Sequence, residues 1–350
     1  MLELISRLER EHSLTESEYR QLVEGYTPEL AEYAASRADR VRRQVYGDAV
    51  FVRGLIEISN ICKNDCLYCG IRRSNTSCDR YRLTESDILY CCREGYGLGF
   101  RTFVLQGGED GYYTDERVES IVRAIKSEHP DCAVTLSLGE RSYDSYKRLF
   151  DAGADRYLLR HETADGEHYS RLHPSELTLS TRLECLHALK AIGYQVGCGF
   201  MVGSPYQSSE HIARDLRFIE KFDPDMCGIG PFIPHKDTPF RDKTAGSAYL
   251  TCFLLSIIRL MKPNILLPAT TALGSIIPDG REMGLRAGAN VVMPNLSPVS
   301  AREKYTLYNN KLHTGTESAQ ALKQLKERIK AVGYTVVVSR GDIKKEQKNG

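Results

Sequence analysis

Three cysteines stand together in the segment Ser59-Asn60-Ile61-Cys62-Lys63-Asn64-Asp65-Cys66-Leu67-Tyr68-Cys69-Gly70, with three residues between the first pair and two between the second. Thiolates are the ligands of iron–sulfur clusters. Three on one loop can bind three irons of a 4Fe–4S cubane and leave the fourth without a protein ligand. An open position of that kind is what a catalytic metal centre needs to engage a substrate. Two plainer readings compete: a zinc site completed by Cys78 or a histidine, and three unrelated core thiols. The polar run Lys63-Asn64-Asp65 argues against the last.

Further chemistry-bearing residues recur at the ends of apolar runs. Gln106-Gly107-Gly108-Glu109 closes one, and its glycines permit close backbone approach. Thr135 and Ser137 fall on one face of another, as strand alternation requires, and suggest a polar interior. Arg160-His161-Glu162 closes a third; three ionisable groups there are costly to bury unless paired or used. An arginine holds a carboxylate by two parallel hydrogen bonds, and a glutamate accepts from ribose hydroxyls or an ammonium group. A purely structural Arg160–Glu162 pair is the alternative. Arg182 is a second candidate clamp or a surface charge. Thr270, Thr271, Tyr305 and Tyr308 follow the last two runs, whereas His235 reads as a satisfied loop histidine.

These residues need a scaffold that brings them together. Residues 1–49 read as three charged helical stretches broken at Tyr26-Thr27-Pro28. Eight short apolar runs then follow: Val50–Ile58, Thr102–Leu105, Ala133–Leu136, Arg156–Leu159, Gln195–Val202, Met226–Ile229, Asn264–Leu267 and Asn290–Met293. Amphipathic segments separate them, among them Thr84–Gly97 with an approximate Thr84/Asp87 capping box, Asp115–Glu128, Ser142–Ala152, Leu179–Ile192, Ser209–Phe222 and Ala248–Met261. Eightfold strand–helix alternation over residues 50–310 predicts an α/β fold, a complete (β/α)8 TIM-type barrel with an N-terminal helical extension. An open doubly wound sheet is the alternative. Residues 311–350 are expected to form a helix over 316–333, a closing strand near Thr335–Ser339 and a tail on the barrel. In a barrel, working residues sit at the strand C-terminal ends, where most candidates above fall, while Arg182 stands at the start of the next helix.

Composition excludes other classes. Eleven cysteines, an odd number in a chain of 350 residues, do not suggest a disulfide framework. A net charge of +1 gives no field for nucleic acid or an anionic membrane. No run of about 18 apolar residues offers a membrane helix. The charged N-terminus lacks a signal-peptide core, so a cytoplasmic location is expected.

The cysteine motif resembles that of the radical S-adenosylmethionine (SAM) superfamily. The resemblance implies one 4Fe–4S cluster whose open iron chelates SAM, and reductive SAM cleavage to a 5′-deoxyadenosyl radical. Tyr68 matches the aromatic position near the adenine, and Gln106-Gly107-Gly108-Glu109 matches the motif that meets the methionine amino group. Within the superfamily, NDCLYCGIRRSN, VLQGGEDGYY, VTLSLGE, ADRYLLRHETA, GIGPFIPHKDTP, LPATTALG and GANVVMPN resemble the HydE family of FeFe-hydrogenase maturases over residues 50–310. That likeness implies assembly of the diiron subcluster of the hydrogenase active site. It implies an organometallic iron carbonyl-cyanide-cysteine type of substrate, sister maturases HydG and HydF, and an electron donor such as ferredoxin or flavodoxin. It places Ser137, Glu162, Arg182 and Tyr305 at SAM, and Thr135, Arg160, Thr270, Thr271 and Tyr308 at the substrate. A biotin synthase or methylornithine synthase type of enzyme, acting on a small amino-acid-like substrate, is the alternative. Some HydE members carry further C-terminal cysteines; here the last is Cys252, so no accessory cluster is expected.

Overall fold

Capping residues set the N-terminal breaks. In the computed structural model, which describes residues 1–312 and 319–344, helices span Leu2–Glu11, Glu16–Glu24 and Pro28–Tyr46. Thr15 and Glu18 close a capping box. Thr27 caps the third helix, and Pro28 sits in its first turn, where a missing N–H costs nothing. That helix covers the outer side of Ala248–Met261, which is buried on nearly every face.

The strands are β1 (Ala49–Val52), β2 (Gly54–Ser59), β3 (Thr102–Gly107), β4 (Ala133–Ser137), β5 (Arg156–Leu158), β6 (Gln195–Cys198), β7 (Met201–Val202), β8 (Met226–Cys227), β9 (Gly230–Pro231), β10 (Val291–Val292) and β11 (Thr335–Val337). β2, β3, β4, β5, β6 and β8 form one parallel sheet in that order. Three bridges carry the ring onward: Met226 to Leu266, Pro268 to Val291, and Asn295 back to Leu55. The eight apolar runs thus close into a (β/α)8 barrel. Register sets its inner layers. Leu55, Val104 and Thr135 lie side by side, and one step higher Glu57, Gln106 and Ser137 do so.

Several runs are less regular than their sequence suggests. Val50–Ile58 divides at Arg53, because β1 pairs with β10 and β11 while β2 pairs with β3. Asn264–Leu267 makes bridges but no regular strand; Pro268, without an N–H, cannot extend a ladder. Gln195–Val202 divides into β6 and β7, and β7 pairs only with β9. Thr335–Val337 is a strand, yet it does not close the barrel: it lies parallel to β1 at the lower rim. The turn after it plugs the barrel floor, where Arg156 donates to Arg340 O at 2.8 Å and to Asp342 Oδ1 at 2.6 Å. Of the helix expected over 316–333, residues 316–318 lie outside the described residues; a 3-10 turn Ala319–Ala321 leads into Leu322–Ala331. Short helices at Gly166–Leu172, Thr271–Ile276 and Val299–Arg302 are additions. No helix among the described residues is long and apolar enough to cross a membrane.

Candidate active site

The cysteine loop leaves the top of β2 and is braced by its own polar residues. Asp65 accepts two hydrogen bonds from Arg72, at 2.7 and 2.6 Å, and two more from Ser74. The Arg72 guanidinium holds its carboxyl well below the usual carboxylate range. Arg80 donates to Ile71 O and Arg72 O. Gly70 is required by crowding: a side-chain carbon there would stand 2.1 Å from Thr306 O and 2.5 Å from the His235 ring.

The loop after β3 meets this one directly. A carbon on Gly108 would stand 2.3 Å from Ile61 O and 2.7 Å from Cys62 Cβ. Glu109 N–H donates to Cys62 Sγ at 3.4 Å, and Lys63 N–H donates to Glu109 O at 2.9 Å. The Glu109 carboxylate turns away, accepting the Glu140 N–H at 3.0 Å and pairing with Lys63 at 3.1 Å.

Burial raises all three thiols. Burial, with backbone bonds opposing it, raises Cys62. Burial and then the charge of Cys62 push Cys69 up to about 12, and burial, Cys69 and Cys62 raise Cys66 well above the ordinary value. Alone they stay protonated at neutral pH. A cationic iron group accepting three thiolates supplies the charge this pocket lacks, so the donor set fits a cluster. A zinc site would need Cys78 or a histidine as its fourth ligand. Cys78 instead receives a hydrogen bond from Asn60 Nδ2 at 3.5 Å.

Around this loop the strand ends bring most candidates together. Tyr68, half-buried, shares a hydrogen bond with His173 Nε2 at 3.2 Å. Gln106 Nε2 donates to the Tyr305 hydroxyl at 3.3 Å. Tyr305 is buried, and burial followed by the charge of Glu57 pushes its hydroxyl well up. Arg182 is buried rather than a surface charge; it donates to Glu140 Oε1 at 2.5 Å and to Arg160 O at 2.7 Å. Ser137 sits beside Gln106 on the inner face. Thr271 opens the helix Thr271–Ile276, and Tyr308 lies on the segment that crosses the mouth, where Leu307 O accepts from Gly70 N–H. His235 is buried and accepts the Asp237 N–H at 3.1 Å, a satisfied loop residue.

One functional-looking residue escaped the sequence reading. Glu57 is fully buried on the inner face, pairs with Lys311 at 2.5 Å and accepts from Asn295 Nδ2 at 2.8 Å. Lys311 also donates to Tyr305 O at 2.9 Å. A lone acid in the apolar run Gly54–Ser59, in phase with Leu55, was the available signal.

Several buried polar atoms have no hydrogen-bond partner among the described residues: Thr135 Oγ1, Thr270 Oγ1, Arg160 Nε and Nη2, and Glu162 Oε2. Arg160 Nη2 lies 3.1 Å from Glu162 Oε2 without the alignment of a hydrogen bond. Orphaned groups of this kind are costly and rare. Thr135 lies on β4, Arg160 and Glu162 follow the adjacent β5, and Thr270 follows the seventh run. That arrangement is a mould for a small molecule with carboxylate and hydrogen-bonding groups.

Comparison with known proteins decides the family. Residues 56–219 match the model of the Radical SAM superfamily. The [FeFe] hydrogenase maturase subunit HydE of Thermotoga maritima is 46% identical over 275 residues, 79% of this chain and 78% of that one. The chain belongs to the radical SAM superfamily, in its HydE family. The 3-methylornithine synthase of Methanosarcina barkeri is 32% identical over 327 residues, 92% of this chain and 90% of that one. The crystal structure of methylornithine synthase (PylB) superposes with a TM-score of 0.83 at 28% identity, covering 95% and 97% of the two chains. As a radical SAM enzyme this HydE-family chain uses a 4Fe–4S cluster and SAM.

Proposed function

We propose that this HydE-family chain acts in assembly of the diiron subcluster of FeFe-hydrogenase, and that its substrate is an iron carbonyl-cyanide-cysteine type of complex held inside the barrel. The orphaned atoms of Thr135, Arg160 and Thr270 support this reading, because together they suit the carboxylate of a cysteine-like ligand. Cys62, Cys66 and Cys69 hold the cluster. When bound, the cluster supplies one electron to SAM, whose carbon–sulfur bond breaks to give methionine and a 5′-deoxyadenosyl radical. Tyr68, the Gln106-Gly107-Gly108-Glu109 backbone, Ser137, Glu162, Arg182 and Tyr305 hold SAM at the mouth. Thr135, Arg160, Thr270, Thr271 and Tyr308 hold the substrate beneath it. Leu55 and Val104 lie level with Thr135 and give that side of the barrel an apolar wall. HydG and HydF act as sister maturases, a ferredoxin or flavodoxin supplies electrons, and the work is done in the cytoplasm.

The test is a maturation reaction in vitro: apo-hydrogenase, HydG, HydF, SAM and reductant, with and without this chain, read as hydrogen evolution. Activity that depends on this chain is the expected result; none above the blank refutes the proposal. The 32% identity over nine-tenths of 3-methylornithine synthase favours one second reading, a carbon-skeleton rearrangement of a small amino acid. Mass-spectrometric detection of 3-methylornithine after incubation with SAM, reductant and the common amino acids would support it.

A further inference from the structure

Helix Ser209–Phe222 carries Asp215 on its core face, fully out of water among Ile212, Leu216 and Ile219. Ionising a carboxyl in such a place is costly, and burial raises Asp215 well above the ordinary carboxylate range. Its Oδ1 accepts the Ala164 N–H at 2.5 Å and lies 3.3 Å from Nε2 of His161, which is equally buried. The other ring nitrogen of His161, Nδ1, accepts the Gly199 N–H at 3.2 Å. In the neutral ring the proton therefore sits on Nε2, whose approach to Asp215 lacks the alignment of a hydrogen bond and is a packing contact.

These two contacts straddle Glu162, one residue before it and two after. Glu162 holds φ at +65°, a left-handed conformation that non-glycine residues seldom adopt. Such strain persists only where the surroundings over-determine it, and it gathers at functional sites. The Glu162 N–H donates to Gly199 O at 3.0 Å, so Gly199, just after β6, meets both His161 and Glu162. The outcome is a carboxylate at the barrel mouth with Oε2 unbonded.

We propose that Asp215 and His161 are positioning residues that lock the 161–164 turn and so aim the Glu162 carboxylate at SAM. This rests on the reading above that Glu162 faces SAM. Burial holds the His161 imidazole down to about 3, so it stays neutral at working pH and Nδ1 keeps accepting the Gly199 N–H.

The experiment uses the reconstituted, reduced full-length enzyme with SAM alone, measuring 5′-deoxyadenosine. Asp215→Leu removes the acceptor; His161→Asn keeps an oxygen near Nδ1 and severs the arm to Asp215. At wild-type iron content, each should raise the KM for SAM about fivefold, the worth of one ordinary hydrogen bond. In cycles with Glu162→Ala the second substitution should add less than about twofold, because the residues act as one unit. A merely structural role would lower the melting temperature and add fully. If Asp215→Leu does not fold, Asp215→Asn, which keeps an oxygen for the Ala164 N–H, is measured in its place with the same expected direction. An unchanged KM in these variants, or full additivity, while Glu162→Ala raises the KM, overturns the proposal alone. An unchanged KM in Glu162→Ala overturns the assignment of Glu162 and the proposal with it.

Discussion

Replacing Arg160 by methionine separates the two halves of the site. Among the described residues its Nε and Nη2 have no hydrogen-bond partner, and its side chain is 32% exposed. The Glu162 contact is therefore worth no more than about 1 kcal/mol to stability. With a carboxylate ligand in place, the same two N–H groups make two charge-assisted bonds, each contributing about 1.5–3 kcal/mol. Losing them should cost about 3 kcal/mol, or roughly 150-fold in substrate kcat/KM. Arg160→Lys keeps the charge without the fork and should recover only part of it. The assay compares hydrogenase maturation with substrate-free SAM cleavage in the same preparation. Maturation should fall by about two orders of magnitude, while the KM for SAM stays within about threefold. A matching rise in the KM for SAM would show that Arg160 serves SAM instead, and full activity of Arg160→Lys would remove the bidentate argument.

Three further outcomes follow from the same geometry. Cys66→Ser should lose bound iron and form no 5′-deoxyadenosine; retained cleavage measured by chromatography would remove Cys66 from the ligand set. Thr135→Val and Thr270→Val replace hydroxyls that have no partner, so thermal melts should show no loss, or a gain of up to about 1 kcal/mol each. Maturation activity should nevertheless fall, and a variant that is both stable and fully active would refute the role of that hydroxyl. Burial holds His161 down to about 3 and His168 down to about 4, below their unfolded value near 6.5. Unfolding therefore takes up protons between these values, and stability should be lost as pH falls from about 6.5 toward 4, at up to about 1.4 kcal/mol per unit for each group. Denaturant melts across that range check the sign; stability rising as pH falls would contradict it.

Much of the fold and the site was legible because each rests on a local signal. The cysteine spacing, the Gly-Gly after β3 and the hydroxyl alternation at Thr135 and Ser137 needed only short windows. The capping pairs Thr84/Asp87 and Thr15/Glu18 mark where helices begin, and Thr84/Asp87 was readable directly. Partner changes were not readable, because pairing is non-local. Nothing in Val50–Ile58 says that its lower half pairs with β11, nearly 300 residues on. The plug formed by Arg340 and Asp342 was hidden for the same reason, as was the Glu57–Lys311 pair. Arg182 could be read as clamp or surface charge until Glu140 and Arg160 O were seen beside it. Helix Gly166–Leu172 begins at a glycine and has little apolar periodicity; its Asp165 cap holds it.

The most direct test of the account is to reconstitute the protein anaerobically, reduce it, and record the electron paramagnetic resonance spectrum before and after adding SAM. The account predicts a reduced 4Fe–4S signal that changes when SAM binds, followed by 5′-deoxyadenosine and methionine in equal amounts. A spectrum unmoved by SAM, with neither product formed, would contradict it.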